Sequence, residues 1–200
     1  MEKIVVKTAV KTVLIILAAI LAVFAVFNFA FPQHMATLTE GMGNYSLAIK
    51  YASLRYSYTH DGEDLARCFD DAVLWKNDKY IIEYGEELIK RYDFSDVCES
   101  KNKSSGIYDY KHRVYGKLAV SYYNTGKKSD AVLFAASANE PDSFVYGNAL
   151  MSLAVAVRAA HDSETCGLLI EELEKIHPVN EQEISYLNQV IASLRATSVS

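Results

Sequence analysis

Hydrophobic positions follow two regimes along this chain. From Thr12 to Phe31, eighteen of twenty residues are Ala, Val, Leu, Ile or Phe, and only Thr12 and Asn28 interrupt the run. A helix of that length rises about 30 Å, the thickness of a bilayer's hydrocarbon core, so the pattern predicts a transmembrane helix over 12–31. A cleaved signal peptide has a shorter apolar core that gives way to polar residues at the cut. Val23 and Ala25 supply the small residues of such a cut, but Val26, Phe27, Phe29 and Phe31 prolong the apolar run, and the segment is expected to stay as an anchor.

Beyond the run, apolar residues recur at helical spacing. Helices are expected over about 44–59, 63–76, 78–92, 107–124, 129–139, 143–160, 164–176 and 181–195, with no convincing strand hairpin. Pro32 to Gly43, with two glycines and few charges, reads as a tether. Gly62, Gly126 and Pro178 punctuate neighbouring helices, and Ser129 and Ser163 are candidate N-caps. Asn180 and Glu183 form a capping box ahead of a stripe at Ile184, Leu187, Ile191 and Leu194, which gives the last helix the look of a lid. Lys101 to Gly106 is the candidate flexible loop. The resulting organisation is an N-terminal flank 1–11, a transmembrane helix 12–31, a tether 32–43 and a helical domain 44–200.

Composition changes this picture in three respects. Half of the 200 residues are hydrophobic and only 3 are proline, so a folded core can form and disorder is excluded. The net charge of -5 argues against a nucleic-acid partner, whose phosphates need a basic face. Lys3, Lys7 and Lys11 precede the apolar run, whereas only Glu40 and Lys50 follow it closely; basic excess holds its flank in the cytoplasm, so the N-terminus is expected inside and the domain outside the cell membrane. Cys68, Cys98 and Cys166 are odd in number and widely spaced, which suggests neither a disulfide framework nor a zinc site.

The helical segments also repeat. Tyr115, Leu118, Ala119, Tyr122, Ala131, Ala135 and Ala138 align with Leu150, Leu153, Ala154, Val157, Cys166, Ile170 and Leu173, each pair offset by 35 residues. Together with Gly126, this pattern resembles the tetratricopeptide repeat, whose unit of about 34 residues is a helical hairpin. The resemblance covers roughly 112–178. Upstream, Tyr51, Leu54, Tyr58 and Gly62 fit, but Arg55 and Arg67 stand where a small residue and an alanine are expected. The expected fold class is therefore all-α: an N-terminal transmembrane helix followed by TPR-like antiparallel helical hairpins, arranged as an α-solenoid or an irregular bundle.

Candidate chemistry is sparse. His60-Asp61 invites comparison with helical metal-dependent phosphohydrolases, but such a site needs further converging ligands, and Asp and Gly at 61 and 62 suit a helix end and turn better. His161-Asp162 occupies the same kind of turn. The acid pairs Asp70-Asp71, Glu86-Glu87 and Glu171-Glu172 diverge by about 100° on a helix and read as solvated charges. No nucleophile elbow, phosphate loop or zinc-protease motif is present. No cofactor, metal or catalytic residue is predicted, and the chain is read as a non-enzyme.

The resemblance implies instead a concave surface on the first helices of the hairpins. Arg113, Lys117, Tyr123, Asn124, Asn148, Met151 and Arg158, with Val120 and Val155 among them, are the candidate groove. Gly116 and Val120 stand where family members that clamp a terminal carboxylate carry polar residues, so that clamp is not expected. The function expected is a membrane-anchored extracytoplasmic adaptor for a protein or peptide partner, itself a membrane or envelope protein. The alternatives are the phosphohydrolase on His60 and Asp61 and a purely structural envelope component.

Overall fold

The computed structural model describes residues 2–105, 109–138, 148–178 and 180–198. Among these residues there is no strand, and the all-α expectation holds. The elements are α1 (Glu2–Ala30), α2 (Pro32–Gly41), α3 (Tyr45–Thr59), α4 (Gly62–Trp75), α5 (Asp78–Ile89), α6 (Phe94–Ser105), α7 (Tyr110–Asn124), α8 (Lys128–Ser137), α9 (Ala149–Ala159), α10 (Ser163–Leu173) and α11 (Glu181–Ser198).

The first helix stands apart from the body. Its window Val10–Phe27 is long and apolar enough to cross a membrane, and none of it is buried against the rest of the chain. A soluble domain has no use for so much exposed aliphatic surface.

Two expected connections are helical. The tether over 32–43 contains α2, which starts on Pro32, a residue whose fixed φ suits a helix's first turn. Met35, Ala36 and Thr39 pack its inner face against α3, so burial rather than intrinsic propensity holds it. The loop expected over 101–106 is helical as far as Ser105; Phe94, Val97 and Cys98 bury one face of α6 in the core, a signal too short to be read as periodicity. Residue 106 lies outside the described residues, as do 107 and 108 and the start of the helix expected from 143.

Helix ends follow a recurring device. His60, Lys76 and His161 adopt the left-handed conformation, and the next residue, Asp61, Asn77 or Asp162, caps the following helix with its side chain. Gly126 plays the same part at φ 87°, followed by Lys127 at the N-cap of α8 with no side-chain bond. Ser129 and Ser163 are therefore not caps but lie inside the first turns. Asn180 does cap α11, accepting from the Glu183 amide at 2.9 Å, but Ile184 is exposed and the stripe that packs is Glu183, Leu187, Ile191 and Leu194.

The core comprises two clusters. One lies within α2 to α7 around Leu65, Phe69, Leu88 and Tyr110; the other lies within α7 to α11 around Leu150, Leu153, Leu169 and Leu194. Ile82, Tyr115 and Phe134 pack on both and join them. Packed neighbours approach closely at two glycines. A Cβ on Gly85 of α5 would lie 2.7 Å from Leu118 of α7, and one on Gly116 would lie 2.8 Å from the Ser152 hydroxyl of α9. Gly116 thus serves a helix seam.

The positions aligned at 35-residue spacing share a burial pattern: all fourteen are buried except Tyr115 and Ile170, which are half-buried. The turns repeat at the same spacing, Gly126-Lys127 against His161-Asp162. Helix α7 packs on both α8 and α9, and α10 packs on α8, α9 and α11.

Candidate functional site

The sequence-predicted groove does not assemble as one open surface. Tyr123 donates its hydroxyl to Asp162 at 3.1 Å, and the Asn124 amide donates to Asp78 at 3.2 Å. Asn148 is buried and accepts from the Leu150 amide as the cap of α9. Arg113 is half-buried, its guanidinium 3.7 Å from Asp70. All four are engaged by contacts within the body. Lys117 is exposed, although local desolvation and the neighbouring Arg113 cation lower its pKa. Met151 and Arg158 do come together, with Val155, in a cleft of about 220 Å³ between α9 and α11 closed by Tyr186 and Val190.

The turn residues are accounted for structurally. His60 is exposed with its ring edge against Tyr56, and Asp61 accepts from the Glu63 amide at 2.8 Å. Among the described residues no three His, Cys, Asp or Glu side chains converge as a metal-binding group. The three cysteines are buried and unpaired, and burial pushes the Cys68 and Cys98 thiols up to about 12, which makes them poor nucleophiles.

A larger feature lies elsewhere. A polar cavity of about 690 Å³ runs along α4 from Asp61 to Leu74, walled by Gln33, Glu40 and Gly41 of α2, Tyr45 and Arg55 of α3, and Lys101 of α6. Positions 64, 67, 71 and 74 recur at helical spacing, which puts one edge of α4 along the cavity floor.

Three ion pairs build its walls. Arg55 bonds the Asp64 carboxylate at 2.8 Å, which also accepts from Thr59 at 2.8 Å, while the other side of the Arg55 guanidinium reaches Gln33. Arg67 donates to Glu40 at 2.6 Å and to Thr37 at 2.8 Å, tying α4 to α2. Lys101 pairs with Asp70 at 2.9 Å, tying α6 to α4. Ser100 donates to Glu63 from the same helix.

Of the cavity's acids, Asp61, Glu63 and Asp71 form no ion pair among the described residues, and only Asp71 of these three is buried. Asp71 is 2% exposed, and its Oδ2 accepts no hydrogen bond. Burial, the neighbouring Glu40 carboxylate and Asp70 together raise its pKa to about 7, against a smaller opposing pull from Arg67. The expectation that Asp70-Asp71 would be solvated is therefore wrong for Asp71. The α4 face is wide enough for both residues to line the cavity, and α2 covers one of them.

The sequence reading missed this site, although it carried a signal. Arg55 and Arg67 were the misfits of the upstream repeat pattern, long cations where packing wanted Ala-sized residues. A cation inside an apolar stripe demands a carboxylate nearby, and here Asp64 and Glu40 supply it. The cavity presents carboxylates in excess, Glu40, Asp61, Glu63, Asp64, Asp70 and Asp71 against Arg55, Arg67 and Lys101, in a water-accessible trough. Such a surface orients charged groups and suits recognition.

No known family, curated protein or solved structure matches this chain.

Proposed function

We propose that this chain is a membrane-anchored adaptor: α1 spans the cell membrane with its N-terminus in the cytoplasm, and the TPR-like helical body outside it binds a protein or peptide partner without catalysis. The observation that carries the reading is the charged cavity along α4, built from the helix that adjoins the anchor and from three helices of the body. The matching burial and turns at 35-residue spacing support a hairpin-repeat body. Lys3, Lys7 and Lys11 before the apolar run support the orientation.

The mechanism is positional. An anchor confines the binding surface to a thin layer above the bilayer, which raises its effective concentration toward other membrane-bound proteins without any new contact. Salt bridges that already fix Arg55, Arg67 and Lys101 reduce the ordering cost of binding, because the charged side chains are held before a partner arrives. A partner presenting lysine or arginine side chains would meet the surplus carboxylates.

Photocrosslinking in intact membranes tests this assignment. A photoreactive residue at Leu74, exposed on the cavity rim, should yield a discrete protein adduct that weakens when Arg67 is changed to Ala. Adducts from Tyr123 or Arg158 but none from Leu74 would return the binding surface to α7 and α9. Adducts with lipid alone from all three positions would contradict the adaptor reading.

A further inference from the structure

Helix α2 follows α1 after a single intervening residue, Phe31, and its outward face is apolar in a particular direction. Phe31, Leu38 and Met42 are all exposed, Leu38 at 56% and Met42 at 74%. Leu38 and Met42, four residues apart, fall within about 40° of one another around a helix turning 100° per residue, and Phe31 stands at the N-cap that precedes the first turn. Met35, Ala36 and Thr39 face α3, while Gln33, Thr37 and Glu40 face the charged cavity and its arginines. The apolar stripe is thus a third face that no part of the body covers.

This stripe is continuous with the surface of α1. The Phe27 ring, partly exposed on α1, lies 5.1 Å from the Phe31 ring at the start of α2. Phe31 comes four residues after the apolar window ends at Phe27, about 6 Å of helical rise, which is the depth of the boundary between acyl chains and headgroups. The stripe carries no lysine or arginine and no acid, and Glu40 is turned away to Arg67.

We infer that α2 lies on the outer surface of the bilayer, with Phe31, Leu38 and Met42 inserted at the boundary of headgroups and acyl chains, and so fixes the tilt of the body above the membrane. This inference rests on α1 spanning the bilayer and adds to it. Amphipathic helices bind interfaces in this way through an apolar face a few residues wide. Because Arg67–Glu40 and Arg55–Gln33 tie α2 to α4 and α3, the cavity would be held at a set height instead of swinging on a hinge.

The test uses the full chain reconstituted in vesicles of phosphatidylcholine and phosphatidylglycerol. Single cysteines at Leu17, Leu38 and Leu133, all exposed positions, carry an environment-sensitive fluorophore; the native cysteines are buried. Expected is a label at Leu38 that emits to the blue of the label at Leu133 and is quenched several-fold more by brominated lipid than by aqueous iodide. The label at Leu17 should be quenched by lipid alone and the label at Leu133 by iodide alone. A lipid-buried label at Leu17 with a water-exposed label at Leu38 overturns the inference while leaving the anchor intact. A water-exposed label at Leu17 overturns the anchor and the inference together.

Discussion

Asp71 shows what a single buried carboxyl does to this fold. An unfolded Asp releases its proton near pH 4, whereas burial beside Glu40 delays release in the native state to about pH 7. Between those values the folded chain holds the extra proton, so stability falls as pH rises through this window and levels off above it. Asp71→Asn makes the neutral form permanent. In detergent-solubilised full chain, followed by the fluorescence of the single Trp75, the variant should match the parent near pH 3, below both pKa values, and exceed it at pH 8 by on the order of 1–3 kcal/mol. A loss of equal size at both pH values would contradict this account. Asp162 has the opposite sign. Burial would raise its pKa, but Lys128 at 2.7 Å, Thr165 and Tyr123 hold it down at about 2. Its stabilisation is present above the unfolded value near 4 and disappears as pH falls toward 2. Asp162→Ala should cost about 1–2 kcal/mol at pH 7 through the lost cap and its partners, and much less at pH 2. The sequence offered Ser163 as that cap, one residue late, because it could not show that the His161 backbone turns left-handed and leaves position 162 at the helix start.

At the scale of elements, what was legible followed from periodicity. The stripes of α3, α4, α5, α7, α9 and α10 are long enough to read from residue spacing, and their inward residues are buried. The two unexpected helices turn few apolar residues inward and are held by contacts with distant parts of the chain. Only three residues of α2 face inward, and α6 ends in Lys101–Ser105, a composition that reads as loop until one sees Lys101 reach Asp70. The expected groove dispersed for a related reason: spacing on α7 placed Tyr123 and Asn124 outward, but Asp162 and Asp78 meet them there. Gly85 governs how closely α5 and α7 approach. Gly85→Val would drive a side chain into the fully buried Leu118, and thermal unfolding should show a loss of about 2–3 kcal/mol. Gly116→Ala should be milder, because the Ser152 hydroxyl it meets is an exposed and movable end. Equal losses at the two sites would mean that the seams adjust more freely than their geometry indicates.

The whole molecule is an apolar rod joined to a folded body through a short helix that belongs to both. Its charged cavity lies on the side of the body that α2 contacts, and the Arg55–Gln33 hydrogen bond and the Arg67–Glu40 ion pair connect α2 to α3 and α4. The long apolar first helix was the part most plainly written in the sequence, because its length and apolarity are read directly from consecutive residues. The cavity was the least legible, because it depends on which carboxylate meets which guanidinium across three helices. Arg67→Glu should set a third carboxylate against Glu40 and Asp71, loosening α2 from α4. Limited proteolysis should then cut between Ala30 and Asn44 several-fold faster, while the parent resists.

The central claim is that the first helix remains in place and holds the body outside the membrane. Cells producing the full chain with a single reporter cysteine at Leu133 would be treated with a membrane-impermeant maleimide, and their membranes washed at alkaline pH. The account predicts a species of the full 22.3 kDa, retained in the washed membranes and labelled from outside intact cells. A shortened species beginning near residue 26 in the soluble fraction, or a full-length species labelled only after lysis, would contradict it.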